Sequence, residues 1–137
     1  MNRYVLDACA VIALLQDELG ADIVADALNS ANEGQAEILM HKANFLEVYY
    51  DLYRVLGKDK ANEIKDKILE RPIKFIDEIT DDIFNEAGRL KATYKISFAD
   101  SFALAQAIIS GGELLTSDHH EFNVIEKSEN IKIRWIR

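Results

Sequence analysis

Apolar residues recur along this chain with two periods, and each change of period predicts a change of element. Residues 3–6 (RYVL) form a short β-prone run closed by Asp7. Residues 8–16 are apolar and alanine-rich, so a helix follows almost at once. Residues 18–31 set Leu19, Ile23, Ala27 and Leu28 on one face and their acids outside, an amphipathic helix. A turn at 32–34 leads to a second short strand, 37–40. Residues 42–56 read as a strong helix bounded by Gly57, with aromatic and aliphatic residues around most of its circumference. Its polar residues Asn44, Glu47, Asp51 and Arg54 make one narrow stripe on an otherwise buried helix. A charged helix follows at 58–71, with Ala61, Ile64, Ile68 and Leu69 inward; Pro72 ends it before a third strand, 73–76. Residues 80–94 predict a helix capped by Thr80 or Asp81, with Ile83, Ala87, Leu90 and Tyr94 inward.

The stretch 97–122 organises the rest. Ser97 and Asp100 fit the start signal in which a hydroxyl and an acid three residues on satisfy free backbone donors. Phe98, Phe102, Ala105 and Ile109 recur at helical spacing, and Gly111-Gly112 stops the helix. A short strand at 113–116 runs directly to Asp118, and 131–136 alternate like an edge strand. Strands alternating with helices predict an α/β fold: a mainly parallel sheet with helices on both faces. Without internal repeats or linkers, residues 1–137 are expected to form a single domain large enough to bury a sizeable core.

Composition narrows the function classes. One cysteine, Cys9, rules out an internal disulfide and fits a reducing compartment. Its neighbours Ala8, Ala10 and Val11 predict a small buried hydrophobe rather than a nucleophile. The longest uncharged apolar run, 8–15, falls far short of the ~20 residues that span a bilayer. A soluble, cytoplasmic protein is expected. The net charge is −8, with only two basic but eight acidic residues among the first 50. That counts against gripping nucleic acid by bulk charge, since neutralising phosphates takes Lys and Arg. Lys42, Arg54, Lys58, Arg89, Lys91 and Lys95 remain for a local rim.

Four carboxylates stand out: Asp7, Glu47, Asp100 and Asp118. Each has an ordinary use, as a cap, a turn residue or part of a solvated stripe. Together they differ, because the carboxyl ends of strands in an open α/β sheet share a crevice where ligands bind. Acids gathered there repel, and a hard divalent cation removes the conflict by taking oxygen ligands. Other acid chemistries fit less well. A phosphoaspartate phosphatase needs a second Asp where Cys9 stands, and no Gly-rich phosphate loop or Cys/His zinc spacing is present. His119 and His120 beside Asp118 are expected in a solvated loop.

At these residues the chain resembles the PIN-domain family. Asp7 in YVLDACAVIALL resembles its first acidic motif, and Asn44–Glu47 in ANFLEVYYDLY the second. Asp100 in FADSFALAQA and Asp118 in LLTSDHHEF resemble the third and fourth. The second motif departs in having Asn44 where members often have Ser or Thr. The likeness is greatest to VapC-type toxins of toxin–antitoxin pairs. It implies a three-layer α/β/α sandwich with about four to five strands, Mg²⁺- or Mn²⁺-dependent cleavage of RNA, a homodimer and an antitoxin partner. On that reading Asp7, Glu47, Asp100 and Asp118 hold the cation, with Asn44, Thr116 and Ser117 supporting it or touching phosphate. The competing expectations are a housekeeping RNA-processing nuclease of the same family, a DNA nuclease of the related 5′-nuclease type, and a catalytically idle binding module. For the partner, the helices at 42–56 and 58–71 are expected to form a groove for a hydrophobic antitoxin segment, which brings an Arg to the acids.

Overall fold

A computed structural model describes residues 1–137. The elements run β1 (Asn2–Leu6), α1 (Ala8–Leu15), α2 (Ala21–Asn32), β2 (Ala36–His41), α3 (Lys42–Leu56), α4 (Lys58–Leu69), β3 (Lys74–Ile76), α5 (Asp81–Thr93), α6 (Phe98–Ser110), β4 (Glu113–Thr116), α7 (His119–Ser128) and β5 (Lys132–Trp135). All neighbouring strands pair parallel, in the order β3-β2-β1-β4-β5. The chain therefore winds outward from β1 through β2 to β3, then returns to the other side of β1 for β4 and β5. That reversal lies between β1 and β4, where a crevice opens at the strands' carboxyl ends. The register places Leu6 beside Leu115, so Asp7 and Thr116 are the next residues on adjacent strands.

Strand alternation divides the core into two layers. Tyr4 and Leu6 pack with Ile38 and Met40 against residues of α1, α2, α3 and α4. Val5, Leu39 and Leu114 face the other way, against α5, α6 and α7. This is the three-layer α/β/α sandwich the sequence implies. The caps are local and legible. Thr80 and Ser97 accept from the backbone N–H groups of Ile83 and Asp100. At α3 the cap is His41, whose Nδ1 accepts from Ala43 N–H at 3.0 Å while Nε2 donates to the Glu78 carbonyl at 3.0 Å. Burial lowers the His41 pKa, which favours this neutral, two-ended role.

Four local expectations are corrected. The second helix begins at Ala21, not residue 18, because Gly20 adopts φ +98° ahead of it. A Cβ on Gly20 would lie 2.3 Å from the Ile136 carbonyl oxygen. Leu19 is consequently outside the helix and exposed. Phe98 and Ile109 are exposed as well: the buried side of α6 runs through Ser101–Ala107, where small residues let the helix approach the sheet and α5. α3 is not an otherwise buried helix. It buries only Asn44, Phe45 and Val48 and leaves Leu46, Tyr50, Tyr53, Val55 and Leu56 exposed. Finally, His119 and His120 open a helix, α7, rather than lying in a loop.

Candidate active site

The site is assembled from helix caps at the ends of β1 and β4. Asp7 caps α1: Oδ1 accepts from the Ala10 N–H at 2.9 Å. Its Oδ2 accepts from the Thr116 hydroxyl at 2.5 Å. Thr116 Oγ1 also accepts from the Asp118 N–H at 3.1 Å, so one buried hydroxyl ties both strand ends together. Asp118 caps α7, with Oδ1 accepting from the Glu121 N–H at 3.1 Å. Ser97 caps α6 and fixes Asp100 in its first turn. Asp100, Asp118 and Glu121 each offer a carboxylate oxygen within 4.8 Å of the others.

Glu121 is the residue that sequence reasoning missed. The signal was present, because Asp118 and Glu121 have the acid-x-x-Glu spacing of a helix start. Reading 119–120 as a loop concealed it.

Charge shows how the remaining acids relate to this trio. Asp7 is pushed up to about 7, mainly by burial and further by Asp100 and Asp118, against the hydrogen bonds from Thr116 and Ala10. Asp100 is pushed up to about 6, again mainly by burial, with Asp118, Glu47 and Glu121 adding. The Glu47 carboxyl is also raised, by burial first and then by Asp51 and Asp118. Asp7 and Glu47 stand outside the tight trio but within its electrostatic reach. No Lys or Arg forms an ion pair with any of the five. The upward direction that Asp7, Asp100 and Glu47 share is what burial of negative charge without a counterion produces.

Three buried polar atoms lack partners, Gln106 Oε1 on α6 and two beside the acids. Glu121 Oε2 and Asn44 Oδ1 are buried and accept no hydrogen bond. Buried acceptors are normally satisfied, so each needs a donor or a cation. All the groups involved are oxygens, the donor type that suits a hard ion such as Mg²⁺ or Mn²⁺. Cys9 does not alter this: burial, followed by Asp7, Asp118, Asp100 and Glu47, pushes its thiol up to about 12, so it stays protonated.

The supporting residues fall in different places. Asn44 is fully buried and its Nδ2 donates to the Ala99 carbonyl at 2.9 Å, tying α3 to the turn that carries Asp100. Ser117 enters through its carbonyl, which accepts from the His119 N–H at 3.0 Å. His119 is turned to structure: it stacks on Trp135 at 3.8 Å and Nε2 donates to the Arg137 carbonyl at 2.8 Å. Beside the site, α1 to α4 enclose an apolar groove of about 970 Å³, lined by residues including Val11, Leu15, Leu28, Leu52, Val55 and Ile64.

The sequence model of the PIN domain matches residues 4–127. No curated protein matches the sequence. Among solved structures, the chain resembles one in DNA-bound VapBC from Salmonella typhimurium, with TM-score 0.76, 12% identity and 100% of both chains covered. It also resembles one in VapBC2 from Rickettsia felis bound to a fragment of promoter DNA, with TM-score 0.74, 18% identity, and 97% of this chain and 98% of that one covered. A third is VapC20 of Mycobacterium tuberculosis, described as a sarcin–ricin loop cleaving toxin: TM-score 0.65, 12% identity, 88% and 94% covered. At these identities the likeness is one of fold.

Proposed function

Because the chain belongs to the PIN-domain family, a family of nucleases, we propose that it is a divalent-cation-dependent endoribonuclease and the toxin of a toxin–antitoxin pair. The observation that carries this reading is the convergence of Asp100, Asp118 and Glu121, with the Oε2 of Glu121 left without a partner. Asp7, Glu47, Asp100, Asp118 and Glu121 would hold Mg²⁺ or Mn²⁺. The ion supplies charge neutralisation at the phosphate and a bound water of lowered pKa. Thr116 orients the Asp7 carboxylate, and Ser97 and Asn44 hold the turn that presents Asp100. Residues 1–137 act as one catalytic unit in the cytoplasm, cleaving RNA rather than DNA.

One surface supports a protein partner. The apolar groove of α1 to α4 suits a hydrophobic antitoxin segment, and it includes Asp51 beside the acid-bearing edge of α3. An arginine from the same partner would answer the unpaired acids and compete with the cation. The structures it resembles from Salmonella typhimurium and Rickettsia felis are VapBC complexes, which supports an antitoxin partner. A homodimer would cover some of the exposed apolar residues outside the groove, such as Phe84 and Phe98.

The test is a cation titration with paired substrates. Mn²⁺ is expected to raise the thermal stability of the native protein, since an ion that binds only the folded state stabilises it. Asp100→Asn and Glu121→Gln each reduce that rise and abolish cleavage of RNA. An unchanged melting temperature with Mn²⁺, or equal cleavage of RNA and DNA at one salt concentration, contradicts the assignment.

A further inference from the structure

Tyr50 and Arg54 lie on α3 beside Glu47 and Asp51, on a surface that neither the core nor the groove uses. Tyr50 follows Glu47 by three residues and is 47% exposed. At about 100° per residue it shares the outer edge of the helix with Arg54, next to Glu47 and away from buried Phe45 and Val48. The Arg54 guanidinium lies over the Tyr50 ring, 5.8 Å from its centroid. An ion pair with Asp51 holds it there. That pair occupies one N–H of the five a guanidinium carries, so the fork keeps donors for another anion. The groove takes Asp51, Leu52, Val55 and Leu56 from the neighbouring edge of α3, not Tyr50 or Arg54.

The balance of charge says what such a pair is for. On a chain of net charge −8 bulk charge does not attract phosphates, so stacking on uncharged bases is a source of affinity that the overall charge does not oppose. Base stacking on an aromatic ring is worth about 1–3 kcal/mol per base and tolerates sequence. A tyrosine backed by an arginine loses little freedom when a base lands on its open face.

We propose that Tyr50 and Arg54 seat one nucleotide of single-stranded RNA next to the scissile bond. The base stacks on the face of Tyr50 turned away from Arg54, and that nucleotide's phosphate takes the remaining N–H groups of Arg54. Because Glu47 and Tyr50 share one rigid helix, the stacked nucleotide stands at a constant offset from the cut. This rests on the nuclease reading above.

Two measurements test it: binding of a short labelled single-stranded RNA to protein carrying Asp7→Asn, with Mg²⁺ present, and steady-state cleavage by protein with Asp7 intact. Tyr50→Leu is expected to weaken binding about tenfold and to raise KM with kcat little changed. Tyr50→Phe, which keeps the ring, binds like the parent. Arg54→Ala weakens binding and lowers the salt slope by about one. Mn²⁺ affinity is unchanged in all three. Unaltered RNA binding by Tyr50→Leu overturns the proposal, as does an equal loss with Tyr50→Phe. If Tyr50→Leu instead dissociates a dimer or releases a protein partner while RNA affinity holds, the surface is a protein interface and the proposal fails. If the parent cleaves RNA and Tyr50→Leu cleaves it with the same KM and kcat, this proposal alone fails. A parent that neither binds nor cleaves RNA sinks the nuclease reading with it.

Discussion

Burial, the largest cause, raises Asp7 from an ordinary 3.8 to about 7, with Asp100 and Asp118 adding to it. The native state binds the Asp7 proton more tightly than the unfolded chain does. Its contribution to stability is therefore fully present below about 3.8 and is lost as pH rises through about 7. Asp7→Asn keeps the acceptor for Ala10 N–H and removes the titration. We expect the melting temperatures of the cation-free parent and Asp7→Asn to diverge between pH 4 and 7, with the variant the more stable above pH 7. Mg²⁺ should favour the parent instead. Parallel melting curves across that range would show that Asp7 is not desolvated. At the same scale, Glu121→Gln should lower Mn²⁺ affinity by about tenfold or more, because even residues that only support a metal's ligands cost that much. Isothermal titration reads this directly, and an unchanged affinity would place Glu121 outside the site.

α3 presents three sides with different surroundings. Its inner side, Asn44, Phe45 and Val48, packs on the sheet and α6. One edge carries Glu47, with Tyr50 and Arg54 outside it, and its C-terminal half lines the apolar groove with Leu52, Val55 and Leu56. Val55 is 77% exposed, so a charge there leaves the fold intact. Val55→Asp is expected to weaken antitoxin binding by about 2 kcal/mol, the cost of losing a well-buried interface anchor. RNA cleavage by the free protein should be unaffected. A pull-down in which the variant retains its partner at parental affinity would argue that the segment docks elsewhere.

Over the whole molecule, an acidic net charge coexists with a predicted polyanionic substrate. No Lys or Arg is ion-paired with the acids, and bulk charge opposes a polyanion, so few counterions are expected to be released on binding. The dependence of log affinity on log salt should be shallow, with a slope of magnitude about one to three. Proteins making six to ten phosphate contacts show far steeper slopes. A steep slope would reveal a basic surface supplied by another means, such as a second copy of the chain.

Much of this architecture was already written in local patterns. The alternation of strands and helices, the Ser97 cap, Pro72 at the end of α4 and the strand-end position of Asp7 each depend on residues within a turn or two of one another. Local pattern could not say that Leu46, Tyr50 and Val55 stay exposed, since an apolar residue is equally at home in a core, a groove or an interface. Nor could it place Glu121, whose importance comes from α7 starting at His119 and aiming its first turn at α6. The sequence by itself determined the elements and the types of chemistry they carry, because helix periodicity, strand alternation and capping are short-range physics. Only the tertiary structure decided which acids meet. Asp7 and Thr116 are 109 residues apart, and they touch because the parallel sheet returns β4 to the side of β1.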